Sequence, residues 1–125
     1  MANNDALHLE DEYYNLGNDY YKLGDIDEAI EHYSKAIEVK HDHLASYFNR
    51  GLAYTRKKEF LKAIKDETKV IQLNPNLPEA YYTRGLIYEY LEDYEKAAVD
   101  YNKVLELDPK HDGAKVQKEL ISKGK

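Results

Sequence analysis

A chain of 125 residues with net charge −6 and no cysteine can build no disulfide, thiolate zinc site or cysteine nucleophile. Its acidity disfavours duplex nucleic acid, whose phosphates select clusters of lysine and arginine. No apolar run reaches the roughly 18 residues of a membrane span and no charged-then-apolar leader opens the chain, so a cytoplasmic protein with no membrane partner is expected.

Residues 1–9 are polar apart from Leu7 and Leu9 and read as a flexible lead-in, in which Asp5 is placed to cap an early helix start. From Glu10 onward the chain repeats. Gly17, Gly51 and Gly85 recur at a spacing of 34 residues, and Tyr13/Tyr47/Tyr81, Tyr20/Tyr54/Tyr88 and Ala29/Ala63/Ala97 recur in register with them. No insertion is needed, so the units are 10–43, 44–77 and 78–111. In each, apolar residues at helical spacing form one set (Tyr13, Leu16, Tyr20) and, after a short break, a second (Ile26, Ala29, Ile30, Tyr33, Ala36, Ile37). Each unit is therefore two amphipathic helices.

Gly17 and Ala29 stand where the two helix axes approach closely, with tyrosines filling the wider gaps. Gly24 can end the first helix in the left-handed conformation, and Asp25 with Glu28 reads as a capping box opening the second. Lys58 and Glu92 replace that glycine in the later units, at a cost of roughly 1 kcal/mol each if the conformation is kept. Pro75 and Pro109 close units two and three, where the first has His41. Residues 112–125 carry Ala114, Val116, Gln117, Leu120 and Ile121, an amphipathic helix expected to cap the third unit.

The first unit, Glu-Asp-Glu-Tyr-Tyr-Asn-Leu-Gly-Asn-Asp-Tyr-Tyr-Lys-Leu-Gly-Asp-Ile-Asp-Glu-Ala-Ile-Glu-His-Tyr-Ser-Lys-Ala-Ile-Glu, resembles the tetratricopeptide repeat, with tyrosine in place of the family's first tryptophan. The resemblance covers residues 10–111. It implies an all-α, right-handed α-solenoid of three helix-turn-helix units plus a capping helix, seven helices in one cooperative domain. It also implies a scaffold that binds a protein or peptide partner and performs no catalysis.

Phosphate-loop and dinucleotide glycine patterns and a zinc-type His-Glu-x-x-His helix are absent. Ser34 is adjacent to His32 and Tyr33, where helical side chains diverge, so no nucleophile and base pair is suggested. His41 and His43 lack a third ligand and read as surface loop histidines. No catalytic residue, metal or cofactor is expected.

Tyrosine is the outlier, with 13 of the 15 aromatics. Tyr13, Tyr20, Tyr47, Tyr54, Tyr81 and Tyr88 are read as buried, with Tyr33 and Tyr101 between hairpins. Tyr14, Phe48 and Tyr82 recur about 100° round the first helix, toward the concave groove of such a stack. Tyr14, Asn18, Tyr21 and Lys22 share this inner face, followed by Phe48, Asn49, Leu52 and Arg56, then by Tyr82, Leu86 and Tyr90, with Glu79, Thr83 and Glu89 beside them. Aromatic bodies with amide and hydroxyl tips suit an extended peptide, Asn18 and Asn49 holding its backbone. The same residue types recur as consensus in the family, but Leu52 and Leu86 replace inner-face asparagine and extend the apolar patch.

Two departures stand out. Arg50 and Arg84 appear only where Asp66 and Asp100 follow sixteen residues later, which predicts an ion pair across each hairpin, worth ~0.2–1 kcal/mol if partly exposed. Glu67 takes the place of Tyr33 and Tyr101, and sharing a nearby arginine would relieve its burial.

The family's carboxylate clamp, which grips the acidic C-terminal tail of chaperones, is the alternative that the resemblance implies. Asn18 and Asn49 match its asparagines, but its cation places hold Tyr14, Glu79 and Thr83, with Lys22, Arg56 and Lys57 as a displaced basic edge. A monomer is expected, with self-assembly through exposed repeat ends as a structural alternative.

Overall fold

The computed structural model describes residues 8–124. Asp5 and Leu7 lie outside the described residues. Seven helices follow in chain order: α1 (Leu9–Leu23), α2 (Ile26–Val39), α3 (Leu44–Arg56), α4 (Phe60–Leu73), α5 (Pro78–Tyr90), α6 (Tyr94–Leu107) and α7 (Asp112–Gly124). Among the described residues there is no strand. Leu9, expected in the lead-in, already belongs to α1, whose first turn carries Glu10, Asp11 and Glu12, favourable charges at the positive end of the helix dipole.

The chain divides into two compact units, residues 1–66 and 67–125, with the boundary inside α4. Helices of a repeat pack chiefly on their sequence neighbours. In unit 1, α2 packs on both α1 and α3; in unit 2, α6 packs on α5 and α7.

The close approach within a hairpin is steric. A Cβ added at Gly17 would stand 2.6 Å from the ring of Tyr33, and one at Gly85 would stand 2.7 Å from the ring of Tyr101. These two tyrosines, together with Ala29, Ala36, Ala97 and Val104, are fully or almost fully removed from water. Tyr13, Tyr20, Tyr47, Tyr54 and Tyr88, expected to be buried, are only half-buried, whereas Tyr81 is buried as expected. Their rings carry charge instead. Arg50 lies over Tyr47 and Tyr54, Arg84 over Tyr81 and Tyr88, and a cation over a ring must keep part of its hydration. In the first hairpin, where Leu16 replaces the arginine, His32 stacks on Tyr20 at 5.0 Å and reaches Tyr13 at 6.4 Å.

The predicted arginine pairs are made, and they are more buried than expected. Arg50 donates from Nε and Nη2 to the two oxygens of Asp66, both at 2.8 Å, and Arg84 does the same to Asp100 at 2.9 and 2.8 Å. The aspartate side chains are only 4% and 3% exposed. The third nitrogen of each fork reaches back sixteen residues, Arg50 Nη1 to Ser34 Oγ at 3.0 Å and Arg84 Nη1 to Thr68 Oγ1 at 3.1 Å. Burial works against the charge of Arg50, but the bonds and charge of Asp66 outweigh it and hold the guanidinium above its ordinary range. Glu67 is fully buried.

Each hairpin turn closes in the same way. Gly24 has φ 86°, and Lys58 and Glu92 keep the left-handed conformation at φ 63° and 61° despite their side chains. The following amide donates back five residues in every case, Asp25 to Tyr20 O, Glu59 to Tyr54 O and Asp93 to Tyr88 O, which is the Schellman pattern. The expected capping box at Asp25 does not form: its side chain makes no cap bond. The equivalent Asp93 caps α6 by accepting from the Lys96 amide at 3.2 Å. On α7, Ala114 is buried and Ile121 packs on the unit 2 core, but Val116 and Leu120 remain 52% and 47% exposed. They lie on the other side of the helix from Ala114, Gln117 and Ile121, the positions spaced to meet α6.

Replacing Gly17 with alanine should lower stability in urea unfolding by ~1–3 kcal/mol through overpacking against Tyr33, although alanine is the better helix former by about 1 kcal/mol. Asp66→Ala should cost ~3–5 kcal/mol by stranding the Arg50 charge, while the double change Arg50→Met/Asp66→Leu should recover most of it. Calorimetric melting of the three proteins measures both.

Candidate functional site

Within unit 1, α1 and α3 present the residues expected on the inner face. Helical spacing places Asn18, Tyr21 and Lys22 beside one another on α1 and Asn49 and Leu52 on α3. With Tyr33 of α2 they line a pocket of about 200 Å³. The sequence gives Tyr33 only a packing role between hairpins. Its ring lies across Gly17, and this carries its hydroxyl to Asn18 Oδ1, to which it donates at 2.5 Å.

The polar groups around this pocket are already ordered. Asn49 Nδ2 donates to Asn18 Oδ1 at 2.9 Å and to the Tyr14 hydroxyl at 3.1 Å. Asn18 Oδ1 therefore accepts two bonds, and both Asn49 amide hydrogens are used. Three capacities carry no described bond: the two Nδ2 hydrogens of Asn18, the Oδ1 acceptor of Asn49 and the hydroxyl hydrogen of Tyr14. The set offers three donor hydrogens, on two groups, and an acceptor, which together can pair with the C=O and N–H groups of a peptide backbone. Lys22 supplies an exposed cation, whereas the Arg56 guanidinium is stacked over the Tyr21 ring at 5.2 Å.

Tyr14 is half-buried, with its ring 5.9 Å from Tyr33 and 5.4 Å from His43. His43 is held on both nitrogens, Nδ1 by Ser46 Oγ at 2.7 Å and Nε2 by Asp11 Oδ1 at 3.2 Å, which is a packing role. Phe48 is half-buried on α3. Among the described residues, two groups of side chains could bring three metal-ligand atoms together, His8 with Glu10 and Asp11, and Glu28 with Glu31 and His32. His32 is committed to the Glu28 carbonyl at 2.8 Å, and neither group includes His41 or His43.

In unit 2, Tyr82 and Leu86 pack against the core cluster of Tyr81, Ala97, Tyr101, Val104 and Ala114. The Tyr82 ring leans on Tyr101 at 5.9 Å and on His111 at 4.6 Å, repeating the surroundings of Tyr14. A Cβ at Gly113 would stand 2.6 Å from the Tyr82 hydroxyl, so the start of α7 lies over this ring. His111 also caps that helix, accepting from the Ala114 amide at 3.0 Å. Leu86, Glu89, Tyr90 and Gln117 line a second pocket of about 250 Å³. Glu89 accepts from the Tyr101 hydroxyl at 2.5 Å.

Sequence models of the tetratricopeptide repeat match residues 10–43, 44–77 and 78–111. The chain belongs to the tetratricopeptide repeat family. Its fold class is accordingly the all-α solenoid of helix-turn-helix repeats. A comparison with curated protein sequences found no match. Among solved structures, the first such domain of Spaghetti (RPAP3), bound to the HSP90 peptide SRMEEVD, is 34% identical with a TM-score of 0.88 over 92% of this chain and 91% of that one. The Arabidopsis OM64 domain is 29% identical, with a TM-score of 0.88 over 93% and 96% of the two chains. The second domain of human RPAP3, in complex with the HSP70 peptide SGPTIEEVD, is 27% identical, with a TM-score of 0.83 over 92% and 99%. No helix among the described residues of this tetratricopeptide chain is long and apolar enough to cross a membrane.

Burial, then the neighbouring Tyr14, push the Tyr33 hydroxyl up to about 12 from its ordinary 10.0. A group whose folded value is raised stabilises the fold fully below its unfolded value and loses that contribution as pH rises through the folded one. Stability should therefore fall between pH ~10 and ~12, and Tyr33→Phe should flatten that part of the urea-unfolding profile.

Proposed function

We propose that the chain is a non-catalytic, monomeric cytoplasmic adaptor that binds a peptide segment of a partner protein, with the α1 and α3 face of unit 1 as its anchor. The observation that carries this reading is the ordered set of Asn18, Asn49, Tyr14 and Tyr33 around an open pocket. Donors and acceptors held in place before binding lose little entropy on binding, and Phe48 and Leu52 add apolar contact beside them. The peptide complexes of the RPAP3 domains support the same use of the fold.

A second reading, capture of an acidic chaperone tail, is favoured by one observation: Lys22 lines the pocket with both asparagines of the family's clamp. Lys22 is displaced from the clamp's three cation places, which hold Tyr14, Glu79 and Thr83, and an anion bound without those cations forfeits charge-assisted bonds. Apolar and amide contacts are therefore preferred as the source of affinity.

Phe48→Ala should leave the helical circular dichroism nearly intact and weaken partner binding by ~1–3 kcal/mol, as loss of a central aromatic anchor does. A partner captured from native lysate, then measured by calorimetry, should keep its affinity between ~0.05 and ~0.5 M salt, a range in which screened ion pairs weaken strongly. Fluorescence anisotropy with the peptide SRMEEVD decides the alternative. Tight binding that salt and Lys22→Ala abolish but Phe48→Ala does not would replace the first reading with the second.

A further inference from the structure

The two pockets occupy equivalent places in the repeat. Two repeat lengths before Leu86, Glu89, Tyr90 and Gln117 stand Asn18, Tyr21, Lys22 and Asn49, and all four line the unit 1 pocket. Behind each pocket lies the buried tyrosine seated on a glycine, Tyr33 on Gly17 and Tyr101 on Gly85. The sign of the charge differs. In unit 1 the tyrosine hydroxyl orders an amide and the charged wall is Lys22; in unit 2 it orders the carboxylate of Glu89, and Tyr90 takes the lysine's place.

We propose that the unit 2 pocket is a subsite for a basic side chain, lysine or arginine, of a bound peptide, with Glu89 as its counter-charge and Leu86 and Tyr90 as walls for its methylene stem. The inference rests on the peptide-binding reading. The pocket's volume, about 250 Å³, is below the ~300–1,000 Å³ of pockets that hold drug-sized ligands, which suits one side chain. Glu89 provides the only charge among its described walls, so an acidic residue is repelled there.

Arg84, the only arginine of α5, is bonded to Asp100 and Thr68. Tyr90, 69% exposed, borders the opening of the pocket, and long basic side chains bury their stems while keeping the charged head at a polar rim. Tyr101 is fully buried. Burial, then the bond to Glu89, push its hydroxyl well above its ordinary range, so it remains a donor to the carboxylate at every pH at which the protein would be used.

The probes are an N-acetylated, C-amidated Leu-Arg-Leu peptide and its citrulline twin, which keeps the shape and loses the charge. Titrated into the isotope-labelled full chain, the arginine peptide should shift the backbone amide resonances of Leu86, Tyr90 and Gln117 saturably, at least about tenfold more tightly than the twin. Glu89→Gln, which retains an acceptor for Tyr101, should make the two peptides equal. Tyr101→Phe keeps the carboxylate but not its positioning bond and should narrow the preference several-fold.

Equal affinities in the native protein, arginine-dependent shifts confined to α1 and α3, or no shift with either peptide would each overturn the subsite. The Phe48→Ala calorimetry judges the peptide-binding reading separately, because it uses a different unit and a different contact.

Discussion

A tyrosine ring lying on a glycine governs both the packing and the site. Tyr33 on Gly17 and Tyr101 on Gly85 leave less than 3 Å for a Cβ, so the hairpin helices meet at a distance that only glycine permits. The same seating sends each phenol past its glycine to the neighbouring inner-face side chain, Asn18 in one hairpin and Glu89 in the other. Core packing and polar presentation are thus one contact, and a change at the glycine would move both.

The arginine forks form a second layer built on the same periodicity. Each guanidinium is held by an aspartate sixteen residues ahead and a hydroxyl sixteen residues behind, Ser34–Arg50–Asp66 and Thr68–Arg84–Asp100, and lies over a pair of tyrosines at i−3 and i+4. A planar ion can satisfy an aspartate, a hydroxyl and two rings together because its donors lie in one plane and its faces remain for the aromatics. In the first hairpin Leu16 stands at the arginine's place, and there the imidazole of His32 occupies the tyrosine pair instead.

Strain is tolerated where this packing over-determines the backbone. Lys58 and Glu92 hold positive φ because the following amide still finds the carbonyl five residues back. At Gly24 the same conformation carries no side-chain cost, and the following Asp25 makes no cap bond.

The sequence by itself determined the repeat, the seven helices, the interlock of small against large residues and the pairing of Arg50 with Asp66 and Arg84 with Asp100. Each of these is a demand that one unit makes at a set spacing, and three copies write it three times. Only the tertiary structure decided how the polar tips join. The bonds linking Tyr33, Asn18, Asn49 and Tyr14 depend on directions that a helical wheel does not carry, and Ser34 and Thr68 gained their roles only when an arginine from the next helix reached them. It also decided that Val116 and Leu120 face away from the core while Ala114 and Ile121 enter it. An amphipathic pattern says that a helix has an apolar side, whereas the position of its neighbour chooses which residues of that side are covered.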